Sequence, residues 1–210
     1  MGFYAEHVVP YLVQLAMRQG TLVPYRERVI SKAAGRVLEI GVGSGLNLPL
    51  YPAAVTAVVG IEPSAKLLSM AKVQTAPATR QIELLEASAE AIPLENESVD
   101  TVVTTWTLCT IPEVQRALEE MRRVLMPTGR LLFVEHGRSP DSSVRRWQNR
   151  LNPLWKPIAG GCHLNRPIAD LIESAGFRIE HMDTGYGQGP RPMVFMYEGE
   201  ARKKSRGRLR

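Results

Sequence analysis

VLEIGVGSGLNLPLY, residues 37–51, is the stretch on which the reading of this chain turns. A short apolar run leads into three glycines at 41, 43 and 45, and apolar residues resume at Leu46, Leu48 and Leu50. An apolar strand that breaks into glycines and turns toward a helix is where open α/β sheets bind cofactors. Two phosphate-binding patterns weaken at once. A dinucleotide fingerprint requires glycine at position 46, which is leucine, and the lysine of a phosphate loop is missing.

What remains is Glu39-x-Gly41-x-Gly43-x-Gly45, followed 21 residues after Gly41 by Glu62, at the end of TAVVGIE (56–62). A carboxylate in that position can accept both ribose hydroxyls of an adenosine-containing cofactor. An acid at position 39 tolerates a nearby cation. The cofactor that joins an adenosine ribose to a positive sulfonium, and carries no phosphate, is S-adenosylmethionine. It is the expected cofactor.

Outward from the loop, short β-branched runs alternate with helical patterns: RVLEIG (36–41), TAVVGIE (56–62), QIELLEA (81–87), DTVVTTW (100–106) and RLLFVEH (130–136). That alternation is the signature of parallel βαβ units. Between the last two runs, Val114, Ala117, Leu118, Met121, Val124 and Leu125 share one face of a predicted helix, with Glu119 placed to pair with Arg123 and Pro127 as its stop. A helix over 168–175 ends at Gly176 and leads into FRIEHMD, and PMVFMYEGE (192–200) follows as a final strand with no helix between the two. The expected fold is therefore α/β: one Rossmann-like domain with a seven-stranded, mostly parallel sheet, the last strand antiparallel, and helices on both faces. Residues 1–200 form the domain, with 1–35 as a helical N-terminal cover and 139–166 as an insert over the substrate side.

Composition bounds the function. With 210 residues, 44% hydrophobic and 22% charged, the chain is long enough for one well-buried core. The net charge of +5 is local: 201–210 hold six Lys or Arg and no acid, so the rest of the chain sums to −1. That end reads as a disordered basic tail, and nucleic acid is not expected as a partner. The two cysteines, Cys109 and Cys162, form no CxxC pair and are too few for a disulfide-stapled fold, which fits a reducing cytoplasm. The first 20 residues are interrupted by Glu6, His7, Gln14, Arg18 and Gln19, so no membrane span is expected there. Peripheral membrane contact and the oligomeric state stay open.

As a set, EIGVGSG (39–45), GIEPS (60–64), ASAEAIPLENESVDTVVTTWTL (87–108) and MRRVLMPTGRLLFVEH (121–136) resemble the motifs of class I S-adenosylmethionine-dependent methyltransferases. The resemblance implies that Glu39, Gly41, Gly43, Gly45, Asn47, Glu62, Pro63, Ser88, Ala89, Thr105 and Trp106 line the cofactor. Ser88 stands where many members carry an aspartate that bonds the adenine amino group; its hydroxyl and the backbone of Ala89 take that place. TTWTLCTI (104–111), VEHG (134–137) and RRWQNRLNPLWKPIAGGCHLNRPIADLIE (145–173) narrow the likeness to the methyltransferase-like alkyl thiol methyltransferases, with a looser resemblance to phospholipid and quinone methyltransferases. The implied function is methyl transfer to a small-molecule acceptor, a thiol first. The alternatives are a phospholipid or quinone acceptor, or a non-catalytic cofactor-binding partner of RNA or protein.

Transfer from a sulfonium is an in-line displacement and needs positioning more than a base. His136, at the carboxyl end of the fifth strand, and His163 are the candidate bases. Tyr4, Trp106, Trp147, Trp155, Cys162, His136 and His163 are the candidate substrate contacts, and Cys109 reads as a small apolar filler. GGCHLNR (160–166) reads equally as a structural turn or as a loop that turns Cys162 and His163 toward the acceptor. No metal is expected, since a closed zinc site wants four N or S ligands at recognisable spacing and only Cys162 and His163 are neighbours along the chain.

Overall fold

The computed structural model describes residues 7–75 and 80–204. Tyr4 and the basic end from 205 onward lie outside the described residues. Strands β1 (Gly35–Ile40), β2 (Val55–Ile61), β3 (Gln81–Leu85), β4 (Val99–Thr105), β5 (Leu125–His136), β6 (Phe177–Tyr186) and β7 (Phe195–Lys203) form one sheet in the order β3-β2-β1-β4-β5-β7-β6. β1 to β5 are mutually parallel, and β7 inserts between β5 and β6, antiparallel to both. The sequence expectation of seven strands with an antiparallel last one holds.

The central strands are near-continuous apolar runs because both faces of the sheet are covered. Leu38, Ile40, Val102, Leu131 and Phe133 pack on one side with Leu118 and Met121 of α4 (Val114–Val124) and Ile168 and Ile172 of α6 (Ile168–Ser174). Val37, Val103, Leu132 and Val134 point the other way, onto Val29 and Ile30 of α2 (Val23–Ile30) and Leu68 and Ala71 of α3 (Ala65–Thr75). Neighbours in a strand alternate faces, so one run of sequence feeds two cores.

Two local readings need correction. Arg123 pairs with Glu120 at 2.7 Å, not with Glu119. Either spacing is within reach on a helix, but Arg123 also donates to the carbonyls of Ile92 and Leu94, which draws it to Glu120's side. Residues 201–203, read from the sequence as part of a basic tail, belong to the sheet: Ala201 is fully buried opposite Leu131, and β7 continues to Lys203, which pairs with Phe177.

The chain leaves β1 toward β2 on one side and places β4 on the other, so the crevice for a ligand lies at the carboxyl ends of β1 and β4. Two covers reach that edge. α1 (Val9–Met17) approaches α3, with Lys66 Nζ 5.2 Å from the centre of the Tyr11 ring. The insert is a long helix, α5 (Ser142–Ile158), fixed by buried Gln148, which donates to the Gly137 and Pro192 carbonyls and accepts the Ser139 N–H. The two covers meet where Val9 lies against Gly160. No described helix is long and apolar enough to cross a membrane.

Candidate active site

The glycine loop is held from below by a buried polar frame. Asn47 Nδ2 donates to Glu39 Oε1 at 2.8 Å and to Thr105 Oγ1 at 3.1 Å, tying the loop to the ends of β1 and β4. Tyr51 donates to Glu39 Oε2 at 2.8 Å, and Arg26 of α2 donates to Asn47 Oδ1 at 2.7 Å. Glu39 is fully enclosed, and burial lifts its carboxyl from 4.5 to about 7 against the pull of Tyr51, Asn47 and the Arg26 charge. A carboxylate taken out of water favours its neutral form unless bonds and charge restore the balance.

Glu62, 7% exposed at the end of β2, closes the loop from the side. Its Oε2 accepts the Gly43 N–H at 3.1 Å and its Oε1 the Ser64 N–H at 3.0 Å. The glycines divide the work. A Cβ on Gly41 would sit 2.5 Å from the Thr107 side chain, so only glycine lets β1 turn beneath the β4 loop. A Cβ on Gly43 would meet nothing nearer than the Gly41 carbonyl at 3.9 Å, so that side of the loop is open to a ligand. Gly45 turns in the left-handed region at φ +81, close over Ala71.

Trp106 follows β4 with φ +51, a left-handed conformation that a bulky residue adopts only when its surroundings enforce it. Its N–H donates to the Val134 carbonyl, the Arg26 guanidinium lies 4.8 Å from its ring centre, and Tyr25 meets it edge-on. The cation against this ring is the chain's own Arg26. The indole Nε1 is buried without a hydrogen-bond partner among the described residues. Ser88 is exposed, its hydroxyl accepting from the Glu90 N–H, beside buried Ala89; Pro63 is exposed next to Glu62. Of the eleven expected cofactor residues, Glu39 is the next-to-last residue of β1 and Thr105 the last of β4, and the other nine stand on the loops that follow β1, β2, β3 and β4.

Beside this frame lies a second cluster. Glu135 Oε1 accepts from Thr104 Oγ1 and from the Thr107 and Leu108 N–H groups, which fixes the turn carrying Cys109. His136, the last residue of β5, points its Nε2 at Cys162 Sγ, 3.1 Å away. Trp155 Nε1 donates to the same sulfur at 3.3 Å, and the His163 N–H donates to the Cys109 carbonyl at 2.9 Å, so the insert docks directly on the β4 turn. The neighbouring Cys109 thiol, with the hydrogen bonds from His136 and Trp155, holds the Cys162 thiol well below its ordinary range, against its burial. Cys109 Sγ donates to the Trp106 carbonyl at 3.5 Å, and the adjacent Cys162 sulfur together with burial shifts its thiol up. Burial pushes the His136 ring down, but the bond and charge of Cys162 and the charge of Glu135 outweigh it, so the net shift is up.

The structure thus brings His136, Trp155 and Cys162 together, while Tyr4 lies outside the described residues. The His163 ring is half-buried, and burial with the charges of Arg166 and Lys156 favours its neutral form. Trp147 is 55% exposed on α5, stacked near Arg150 rather than turned inward. Cys109, read from the sequence as a small apolar filler, is buried beside Cys162. Arg26 and Tyr51, central to the Glu39 frame, carry no local signal that distinguishes them from surface residues of α2 and a loop aromatic. Gln148 is marked only by being a polar residue on the apolar side of α5.

Residues 38–133 match the family described as a methyltransferase domain. Thiol S-methyltransferase TMT1B from Rattus norvegicus is 35% identical over 145 residues, 67% of this chain and 59% of that protein, so the chain spans less than two thirds of this relative. Thiol S-methyltransferase TMT1A from Homo sapiens is 29% identical over 205 residues, 93% of this chain and 83% of that protein. Among solved structures, an S-adenosylmethionine-dependent methyltransferase from Thermotoga maritima, titled a possible histamine N-methyltransferase, superposes with a TM-score of 0.68 at 23% identity, covering 96% of this chain and 98% of that one. At that identity the likeness concerns the fold.

Proposed function

We propose that the chain is a class I S-adenosylmethionine-dependent methyltransferase and that it transfers a methyl group from S-adenosylmethionine to the sulfur of a small-molecule thiol. The residues fit the cofactor. Each Glu62 oxygen accepts one backbone N–H and keeps lone pairs for the two ribose hydroxyls. The space beside Gly43 is free, and no Lys or Arg stands on the loop from 41 to 51 to call for a phosphate. The cofactor supplies a methyl group on a positive sulfonium.

The chain supplies position. Glu39, Asn47 and Thr105 fix the glycine loop, Glu62 orients the ribose side, and α1 with the insert excludes water from the carboxyl edge. Holding two reactants in line is worth on the order of 7–11 kcal/mol in favourable cases, so no dedicated base is required of a thiol, which ionises near neutral pH. The observation that carries a sulfur acceptor is the extent of the thiol methyltransferase match: 205 residues cannot be aligned without the insert that brings Cys162 to His136. Two free cysteines and the lack of a membrane-crossing helix among the described residues go with a cytoplasmic location.

The test is a tritiated methyl-transfer screen over alkyl thiols, amines, quinols and phosphatidylethanolamine vesicles. Label in the thiols supports the proposal. Label confined to vesicles or quinols, with thiols inert, rejects it in favour of the corresponding relatives.

A further inference from the structure

Cys109, His136 and Cys162 come from three separate segments: the turn after β4, the end of β5 and the loop after α5. All three are buried, and one donor atom from each, two sulfurs and an imidazole nitrogen, lie within 4.8 Å of one another. We propose that these three side chains bind a zinc ion whose fourth position receives the acceptor thiol. The metal part stands on the geometry alone, and the fourth position rests on the thiol reading above.

Zinc prefers sulfur at about 2.3 Å and nitrogen at about 2.0–2.1 Å in a tetrahedron, which sets its donors roughly 3.5–3.8 Å apart. The His136–Cys162 pair, at 3.1 Å, need open by only about half an ångström to admit the ion. A Cys109–Cys162 disulfide would use two of the three converging atoms and leave His136 Nε2 without its partner, so it explains less of the cluster. The surroundings suit a thiolate site. Trp155 Nε1 already donates to Cys162 Sγ, the kind of outer hydrogen bond that orients a metal ligand, and the His163 N–H with Glu135 fixes the turn that presents Cys109. No fourth His, Cys, Asp or Glu joins the group among the described residues, which is the pattern of catalytic sites that keep one position for substrate.

Two thiolates and a neutral imidazole neutralise Zn²⁺, and a third thiolate makes the centre singly negative. The guanidinium of Arg166, bonded to the Leu108 carbonyl next to Cys109, balances that charge. In the reaction an incoming thiol gives its proton to water on binding the ion. Its sulfur pair then forms the new carbon–sulfur bond as the sulfonium–methyl bond breaks, with that bond's electrons staying on the departing S-adenosylhomocysteine sulfur. The neutral thioether product is a poor ligand and leaves. Spacing along the chain hid the site, because no two of the ligands are neighbours in sequence.

The test uses the whole protein, purified under reducing conditions, stripped with a chelator and titrated with zinc or cobalt(II). About one ion per chain is expected, with a thiolate-to-cobalt charge-transfer band and tetrahedral ligand-field bands. Cys109→Ala and Cys162→Ala, each checked for folding by circular dichroism, should lose about half of the charge-transfer intensity or the bound ion altogether. A small alkyl thiol, and not the matching amine, should raise that band by about half, as two thiolates become three. Failure of the ion to bind, or oxidation of both thiols to a disulfide in its place, overturns the proposal. Thiol methylation at full rate by metal-free protein overturns the metal while leaving the thiol acceptor standing; one bound ion with inert thiols does the reverse for the acceptor.

Discussion

Glu39→Gln removes a carboxyl group that is 1% exposed and held by Asn47 and Tyr51 at 2.8 Å each. In the folded chain burial lifts that group from 4.5 to about 7. The native state therefore holds the proton more tightly than the unfolded state. Between those two values the native state binds more protons, so the contribution of Glu39 to stability falls as pH rises through the window and stays lost above it. At about 1.4 kcal/mol per pH unit, the loss amounts to about 3 kcal/mol. Glutamine has no proton to release, and Glu135 and the other titrating groups are common to both proteins. Urea unfolding of wild type and variant at matched pH values from about 4.5 to about 8.5 isolates the effect as a difference. The stability of Glu39→Gln relative to wild type should improve by about 3 kcal/mol from the acid end to the alkaline end. A difference that stays flat, or that moves in favour of wild type as pH rises, refutes the reasoning and means that Arg26 and the hydrogen bonds keep Glu39 ionised in the fold.

Glu62→Ala removes a charge-assisted acceptor worth about 2 kcal/mol, so S-adenosylmethionine should bind roughly 30-fold more weakly by isothermal titration; unchanged affinity would place the ribose elsewhere. Gly41→Ala puts a methyl group 2.5 Å from Thr107 at a φ of +64, and thermal unfolding should report a loss on the order of 2 kcal/mol or more. Gln148→Ala strips three hydrogen bonds that fix α5, and steady-state kinetics should show KM for the thiol rising while cofactor affinity holds. Equal losses in both would mean that the insert supports the cofactor side as well.

The cofactor half of the site was legible because its information is local. Glu39, the three glycines and Glu62 fall within 24 residues, and the strands around them announce themselves as apolar runs. The antiparallel last strand was legible too, since the stretch between 186 and 195 is too short for an α-helical crossover and holds only a 3-10 turn, Arg191–Met193. The acceptor side was legible only in pieces. Cys109, His136 and Cys162 lie 27 and 26 residues apart, and only the return of the insert over β5 makes them neighbours. Trp147 and Trp155 look alike in sequence, yet one turn of α5 after another rotates Trp147 to water and Trp155 toward Cys162. Helical phase alone does not say which tryptophan faces inward, because the side that is buried is set by Gln148 and its partners, the carbonyls of Gly137, just after β5, and Pro192.

The central claim is sulfur methylation, and its most direct measurement is mass spectrometry of the products formed from S-adenosylmethionine bearing a deuterated methyl group and a small alkyl thiol. One deuterated methyl thioether should form for each S-adenosylhomocysteine released. S-adenosylhomocysteine without labelled thioether, or bound cofactor that is never turned over with any thiol, would contradict it.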